Sequence, residues 1–104
     1  MVNDYGAVLD KNGYAPSIVR MRGTCYLCGC CGQMARHEIF HGSYRAKSKN
    51  LGLWVNLCPD CHWNLHNGDG STDRELKRAG QDIAMKTYGW TVYEFIARFG
   101  KNYI

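Results

Sequence analysis

Apolar and polar positions along the chain change rhythm several times, and each change predicts an element. Residues 33–40 alternate loosely and predict a short strand ending at Ile39 and Phe40. Residues 51–57 are apolar and β-favouring, with Leu53, Trp54 and Val55 at their centre, and predict a second strand. Residues 41–50 between them show no hydrophobic period, so a hairpin with a wide polar loop is expected. Pro59 suits the first turn of a helix. That helix should stop in the Gly-rich run 67–71. Thr72 followed by Glu75 reads as a capping box. Leu76, Ala79, Ile83 and Met85 then mark one face of a helix running to about Tyr88, with Gly89 as its stop. Thr91 and Glu94 form a second box. Val92, Phe95, Ile96 and Phe99 give the last helix its apolar stripe, which ends at Gly100.

The amino-terminal part is less regular. Asn12-Gly13, flanked by Val8-Leu9 and Tyr14-Ala15, is a hairpin signal with short strands. Pro16 keeps the chain extended. Residues 17–22 alternate as a strand or extended arm, with Arg20 and Arg22 on one face. That face is either solvated or in contact with phosphates. The expected fold is therefore α+β in one domain: an extended or hairpin arm over 1–24, a core over 25–67, and two carboxy-terminal helices over 72–100. A chain of 104 residues buries only a modest core, so a structural metal would matter to its stability. No apolar run approaches the roughly 20 residues of a membrane span, so no membrane is expected. The first residues carry no basic region followed by an apolar run, so no signal peptide is expected, and the expected compartment is reducing cytoplasm.

In that compartment, six cysteines in CxxC spacing favour metal over disulfide. Cys25-x-x-Cys28-Gly29 has the form of a zinc knuckle, with Gly29 supplying the positive φ of the turn. Cys28-x-x-Cys31 is an alternative pair, and Cys30 and Cys31 are otherwise free thiols. Cys58-x-x-Cys61 completes a four-cysteine set. His62 and His66 are four apart, so a helix puts them on one face, beside the cysteines and with His37 available from the first strand. The bland alternative is a pair of surface histidines. The 41–50 segment carries Arg45, Lys47 and Lys49 with two hydroxyls and a tyrosine, a mixture suited to a phosphate backbone or to an ordinary polar loop. The formal charge of +4 falls to about +2 once four thiolates hold one Zn²⁺, so charge alone argues weakly for nucleic acid.

Taken together, these residues resemble the HNH nuclease superfamily of ββα-metal folds: a strand with His, a loop, a second strand, then a helix with His, braced by four cysteines. His37-Glu38-Ile39-Phe40 with Gly42, Arg45 and Ser48, then Gly52-Leu53 and Leu57-Cys58, is similar to small HNH proteins encoded by phages and prophages, and the match spans roughly residues 13–104. The resemblance implies a metal-dependent DNA endonuclease, nicking or cutting both strands, as monomer or homodimer. It implies a structural Zn²⁺ on Cys25, Cys28, Cys58 and Cys61, and a catalytic Mg²⁺, Mn²⁺ or Zn²⁺ on His37, His62 and His66. His37 falls on the family's ligand position and Glu38 on its general-base position; a register shifted by one makes His37 the base. Glu38 and His41 are possible helpers, and Arg45 is placed to neutralise charge on the phosphate. Arg20, Arg22, Arg45, Lys47 and Lys49 are the expected DNA contacts. A phage packaging terminase is a partner that the resemblance admits. The competing reading is a catalytically weak or inactive zinc-ribbon binding module, which needs the cysteines but not the histidines.

Overall fold

The computed structural model describes residues 1–20 and 23–104. Its elements run β1 (Ala35–Glu38), a 3-10 turn (Gly42–Tyr44), α1 (Arg45–Asn50), β2 (Trp54–Leu57), α2 (Pro59–Asn67), α3 (Ser71–Tyr88) and α4 (Val92–Phe99). The chain is thus α+β, with four α-helices and one two-stranded antiparallel sheet among the described residues. The register pairs Ala35 with Leu57, Arg36 with Asn56, His37 with Val55 and Glu38 with Trp54. Because side chains alternate along a strand, His37, Val55 and Leu57 share one face, and Arg36, Glu38 and Trp54 share the other. The first face joins the core, where Val55 and Leu57 are almost wholly buried. The second is covered by the amino-terminal segment: Tyr14 stands edge-on to Trp54 at 5.6 Å, and Trp54 Nε1 donates to the Ala15 carbonyl at 2.7 Å.

The wide loop expected over 41–50 is instead mostly helical, a 3-10 turn running into α1. Arg45, Ala46, Lys47 and Lys49 are good helix formers. The helix buries one residue, Ser48, so it leaves no hydrophobic period in the sequence. The Ser48 hydroxyl donates to the Phe40 carbonyl at 2.7 Å and accepts the Phe40 N–H at 3.1 Å. Those two bonds close the connection between the strands.

Only one of the two expected capping boxes forms. At α4, Thr91 Oγ1 accepts the Glu94 N–H and Glu94 Oε1 accepts the Thr91 N–H. At α3 the cap lies two residues earlier, at Gly70, and the helix starts at Ser71, because Asp69 Oδ1 takes both the Ser71 N–H and its hydroxyl, which leaves Thr72 inside the first turn. The face α3 buries is also shifted, to Leu76, Gly80, Gln81 and Ala84. Gly80 permits this approach, since a Cβ there would stand 3.0 Å from Ile39 Cγ2. Phe95 and Phe99 of α4 complete the core against Phe40.

The amino-terminal hairpin is reduced to its turn. Gly13 N–H donates to the Asp10 carbonyl, and the Asp10 carboxylate accepts from the amides of Asn12 and Tyr14. No strands extend from it, because the chain beyond pairs elsewhere: Ala15 N–H with the Lys49 carbonyl and Ile18 N–H with that of Gly52. Gly52 has φ +72°, and a Cβ there would collide with the Pro16 carbonyl. Residues 17–20 are not a strand either, since Ser17 Oγ accepts from Val19 and Arg20 and bends the chain. Arg22 lies outside the described residues.

Ser48→Ala leaves the Phe40 amide buried without its partner and should cost about 1–3 kcal/mol, read as a lowered midpoint in urea unfolding.

Candidate metal centres

The first centre joins two chain segments that the fold brings together. In the knuckle, Gly29 N–H donates to the Cys25 carbonyl and Gly29 takes φ +78°, as the sequence predicts. The second pair sits at the start of α2, where Cys58 is the N-cap and its sulfur accepts the Cys61 N–H at 3.4 Å. The sulfurs of Cys25, Cys28, Cys58 and Cys61 all lie within 4.8 Å of one another, and Cys28 Sγ is 3.8 Å from Cys58 Sγ. A tetrahedral zinc with sulfur at about 2.3 Å has edges of about 3.8 Å, so this donor set fits zinc. Cys30 and Cys31 are exposed and stand outside the set, which leaves Cys25 and Cys28 as the first pair.

Proton affinities within the cluster are split. Burial pushes the Cys25 thiol up, but hydrogen bonds from the backbone of Cys58, Cys28 and Leu27 outweigh it and hold the group down at about 6. Cys58 is lowered chiefly by the Cys61 amide at the helix start. Burial and neighbouring thiols push Cys61 up, while hydrogen bonds to Cys28 and Cys58 raise Cys30 to about 12. Thiolate charge that is not balanced limits further ionisation, and a divalent cation would release that limit.

The second centre is made by β1 and α2. His37 is buried on the core-side face of its strand, and its Nε2 has no hydrogen-bond partner among the described residues. One ring nitrogen from each of His37, His62 and His66 lies within 4.8 Å of the others. His62 Nε2 and His66 Nε2 are 3.1 Å apart, near the roughly 3.3 Å edge of a tetrahedron with metal–nitrogen distances of about 2.0–2.1 Å. Leaving a buried ring nitrogen unpaired costs about 1–3 kcal/mol, a cost that coordination removes. The donor set therefore fits a divalent ion. Burial, with the positive charges of His62 and His66 next, depresses the metal-free His37 to about 4. Burial, then His66, lowers His62 as well.

A cleft of about 370 Å³ opens onto this cluster, and Arg36, Glu38, His41 and Arg45 line its rim. Glu38 is almost fully buried, and its Oε1 accepts from Arg45 Nε at 2.6 Å and from the Tyr14 hydroxyl at 3.0 Å. Burial favours the neutral acid, but these two donors outweigh it and hold the carboxyl below the usual range. His41 is exposed, and its Nε2 is 3.2 Å from Asp73 Oδ1 of α3. Asp73 also pairs with Lys77 at 3.0 Å, and these hydrogen bonds overcome burial to keep it ionised.

The expected DNA contacts are largely engaged within the molecule. Arg45 is on Glu38, Lys47 Nζ donates to the Arg98 carbonyl, Lys49 lies over the Tyr14 ring, and Arg20 over Tyr26. Asp73 and Tyr14 belong to the site but carry no signal in the sequence. Asp73 sits in what reads as a capping box, and its partner His41 is 32 positions away.

No family model matches the chain, and neither does any curated protein or solved structure.

Two outcomes follow for the metal-free histidine cluster. The unfolded chain binds a proton at His37 below the ordinary value of 6.5, whereas the fold resists it down to about 4. Stability from this group is therefore full above 6.5 and falls as pH drops through that window. Urea unfolding of protein carrying zinc only on its cysteines should show the fall, and His37→Gln should flatten it. Metal analysis should find one ion retained by His37→Ala and lost by Cys58→Ser.

Proposed function

We propose that the chain is an HNH endonuclease that uses a divalent metal to hydrolyse DNA phosphodiester bonds. The observation that supports this best is the convergence of ring nitrogens from His37, His62 and His66 within 4.8 Å in one cleft, with His37 buried and its Nε2 unpartnered among the described residues. The donor types suit Zn²⁺, and Mn²⁺ or Mg²⁺ less well, because all three are imidazoles. When bound, such an ion supplies Lewis-acid charge to a phosphodiester oxygen. The four-cysteine set then serves as a structural zinc site, fixing the start of α2 against the knuckle.

The chain's own residues divide the remaining work. His37, His62 and His66 hold the ion, which assigns His37 to the ligand role rather than to the base. Glu38 is a poor base, since Arg45 and Tyr14 hold its carboxylate ionised and occupied. His41 is the better candidate. It lines the same cleft, it is exposed to water, and Asp73 orients its ring by taking Nε2. That leaves Nδ1 to accept a proton from the attacking water. Arg45, two-thirds exposed beyond its bond to Glu38, adds positive charge on the side where the phosphate would lie.

Plasmid nicking with Mn²⁺ or Zn²⁺ tests the reading. His37→Ala and His62→Ala should abolish it while retaining the cysteine-bound zinc. His41→Ala should slow it about 10²–10⁴-fold. Asp73→Asn should lower kcat about 10–100-fold with KM unchanged, as expected for a positioning residue. If the wild type cleaves under none of the divalent metals, the chain is a zinc-ribbon binding module instead.

A further inference from the structure

Most cations of this chain are already engaged by its own groups. Arg36 pairs with Asp10, Arg45 with Glu38, Lys77 with Asp73 and Lys86 with Asp82. Lys47 and Arg98 donate to carbonyls. Among the described residues, Arg74, Arg78 and Lys101 make no ion pair and no side-chain hydrogen bond, and all three are exposed; Lys101 Nζ also lies over the Tyr103 ring at 5.0 Å. They line one groove of about 620 Å³ between α3 and the chain after α4.

This groove is held open by a buried anchor. Gln81 of α3 is fully buried; its Nε2 donates to Asn102 Oδ1 at 2.7 Å and its Oε1 accepts the Tyr103 N–H at 2.7 Å. The carboxy-terminal segment is thereby fastened to α3, and Lys101 lines the same groove as Arg74 and Arg78. Arg74 and Arg78 are one helical turn apart on one face of α3, about 5–6 Å between their Cβ atoms, so both can reach one phosphate backbone. Glu75 is the single acid lining the groove among these side chains. Lys77 also lines it, and Asp73, which binds Lys77, reaches His41 at the rim of the histidine cleft.

We infer that this groove is a phosphate-backbone track: a nucleic-acid strand seated at the histidine cleft continues past Asp73 and lays successive phosphates against Arg74, Arg78 and Lys101. The inference rests on the nuclease reading for its ligand class. It assigns the backbone contacts to α3 and the carboxy-terminal segment, not to the 45–49 helix, whose cations are spoken for. Contacts of this kind give affinity without sequence preference and carry a strong salt dependence.

Fluorescence anisotropy with a short DNA duplex, across a salt series, tests it on the zinc-loaded protein without added Mg²⁺ or Mn²⁺. Each phosphate contact adds about 0.9 to the slope of log affinity against log salt. Arg74→Ala/Arg78→Ala/Lys101→Ala should therefore make the slope shallower by about 2–3. Lys11→Ala/Lys86→Ala removes charge elsewhere and should leave it nearly unchanged. An unchanged slope in the triple variant, or equal changes in both variants, overturns the track while leaving the nuclease reading intact if the wild type still binds and nicks. A wild type that binds no duplex removes both. Equal loss of binding to polyglutamate and to DNA would mark the groove as a site for acidic protein and overturn the assignment.

Discussion

Four sulfurs determine where α2 begins, and that position controls everything chemical in this fold. Cys25 and Cys28 come from an irregular knuckle tied to β2 by the bond from Tyr26 N–H to the Asn56 carbonyl at 2.8 Å, while Cys58 caps α2 and Cys61 lies in its first turn. A core of this size contributes little margin, so the union of these two segments is a structural necessity more than an ornament. The thiols cannot all ionise on their own account: Cys25 and Cys58 are driven down, whereas Cys61 is driven up by burial and neighbouring thiols and Cys30 by its hydrogen bonds to Cys28 and Cys58. A tetrahedral cation would resolve that conflict and convert a repulsive cluster into a cross-link. With α2 fixed, the i, i+4 spacing delivers His62 and His66 to the strand that carries His37.

The alternation of β1 then separates two neighbouring residues into different environments. His37 points to the core side and keeps a ring nitrogen without a partner. Glu38 points to the side covered by the amino-terminal segment, where Tyr14 and Arg45 satisfy it. Adjacent positions in a motif thus receive opposite treatment, one left with an open valence and the other neutralised. The difference comes from the residues supplied by distant segments, Tyr14 before the knuckle and Asp73 after α2. Asp73 has no adjacent motif position of its own; it acts through His41, which lies beyond the strand where the chain has turned toward α3.

The legible parts of this chain are those governed by local rules. The cysteine spacing, the i, i+4 histidines, both strands and the second capping box follow from residues within a few positions of one another, and all of them are present. The parts that were not legible depend on contacts across the chain. α1 has no apolar stripe because Ser48 alone faces inward. The start of α3 is decided by Asp69, a stronger acceptor in reach of Ser71 than Thr72 was of Glu75. Gln81 reads as a solvent residue on a helix, yet it is buried because the carboxy-terminal segment supplies partners for both ends of its amide.

The same distinction governs charge. A count of +4 treats every cation alike, but the fold spends them unequally. Arg36 is held by Asp10 and lies over the rings of Tyr14 and Trp54, at 4.4 and 5.0 Å, so its charge serves to bind the amino-terminal segment to the sheet. Arg98 covers Trp90 at 4.3 Å in a similar way. Such cations lose side-chain freedom and part of their hydration to internal partners, and what they can offer a ligand falls accordingly. Residues that look interchangeable in sequence, such as Arg45 and Arg78, therefore differ in kind: one completes the fold around Glu38, while the other keeps its full charge at the surface. Field at the surface follows the uncommitted charges, and among the described residues Arg74 and Arg78 stand together on α3 in one groove with Lys77 and Lys101.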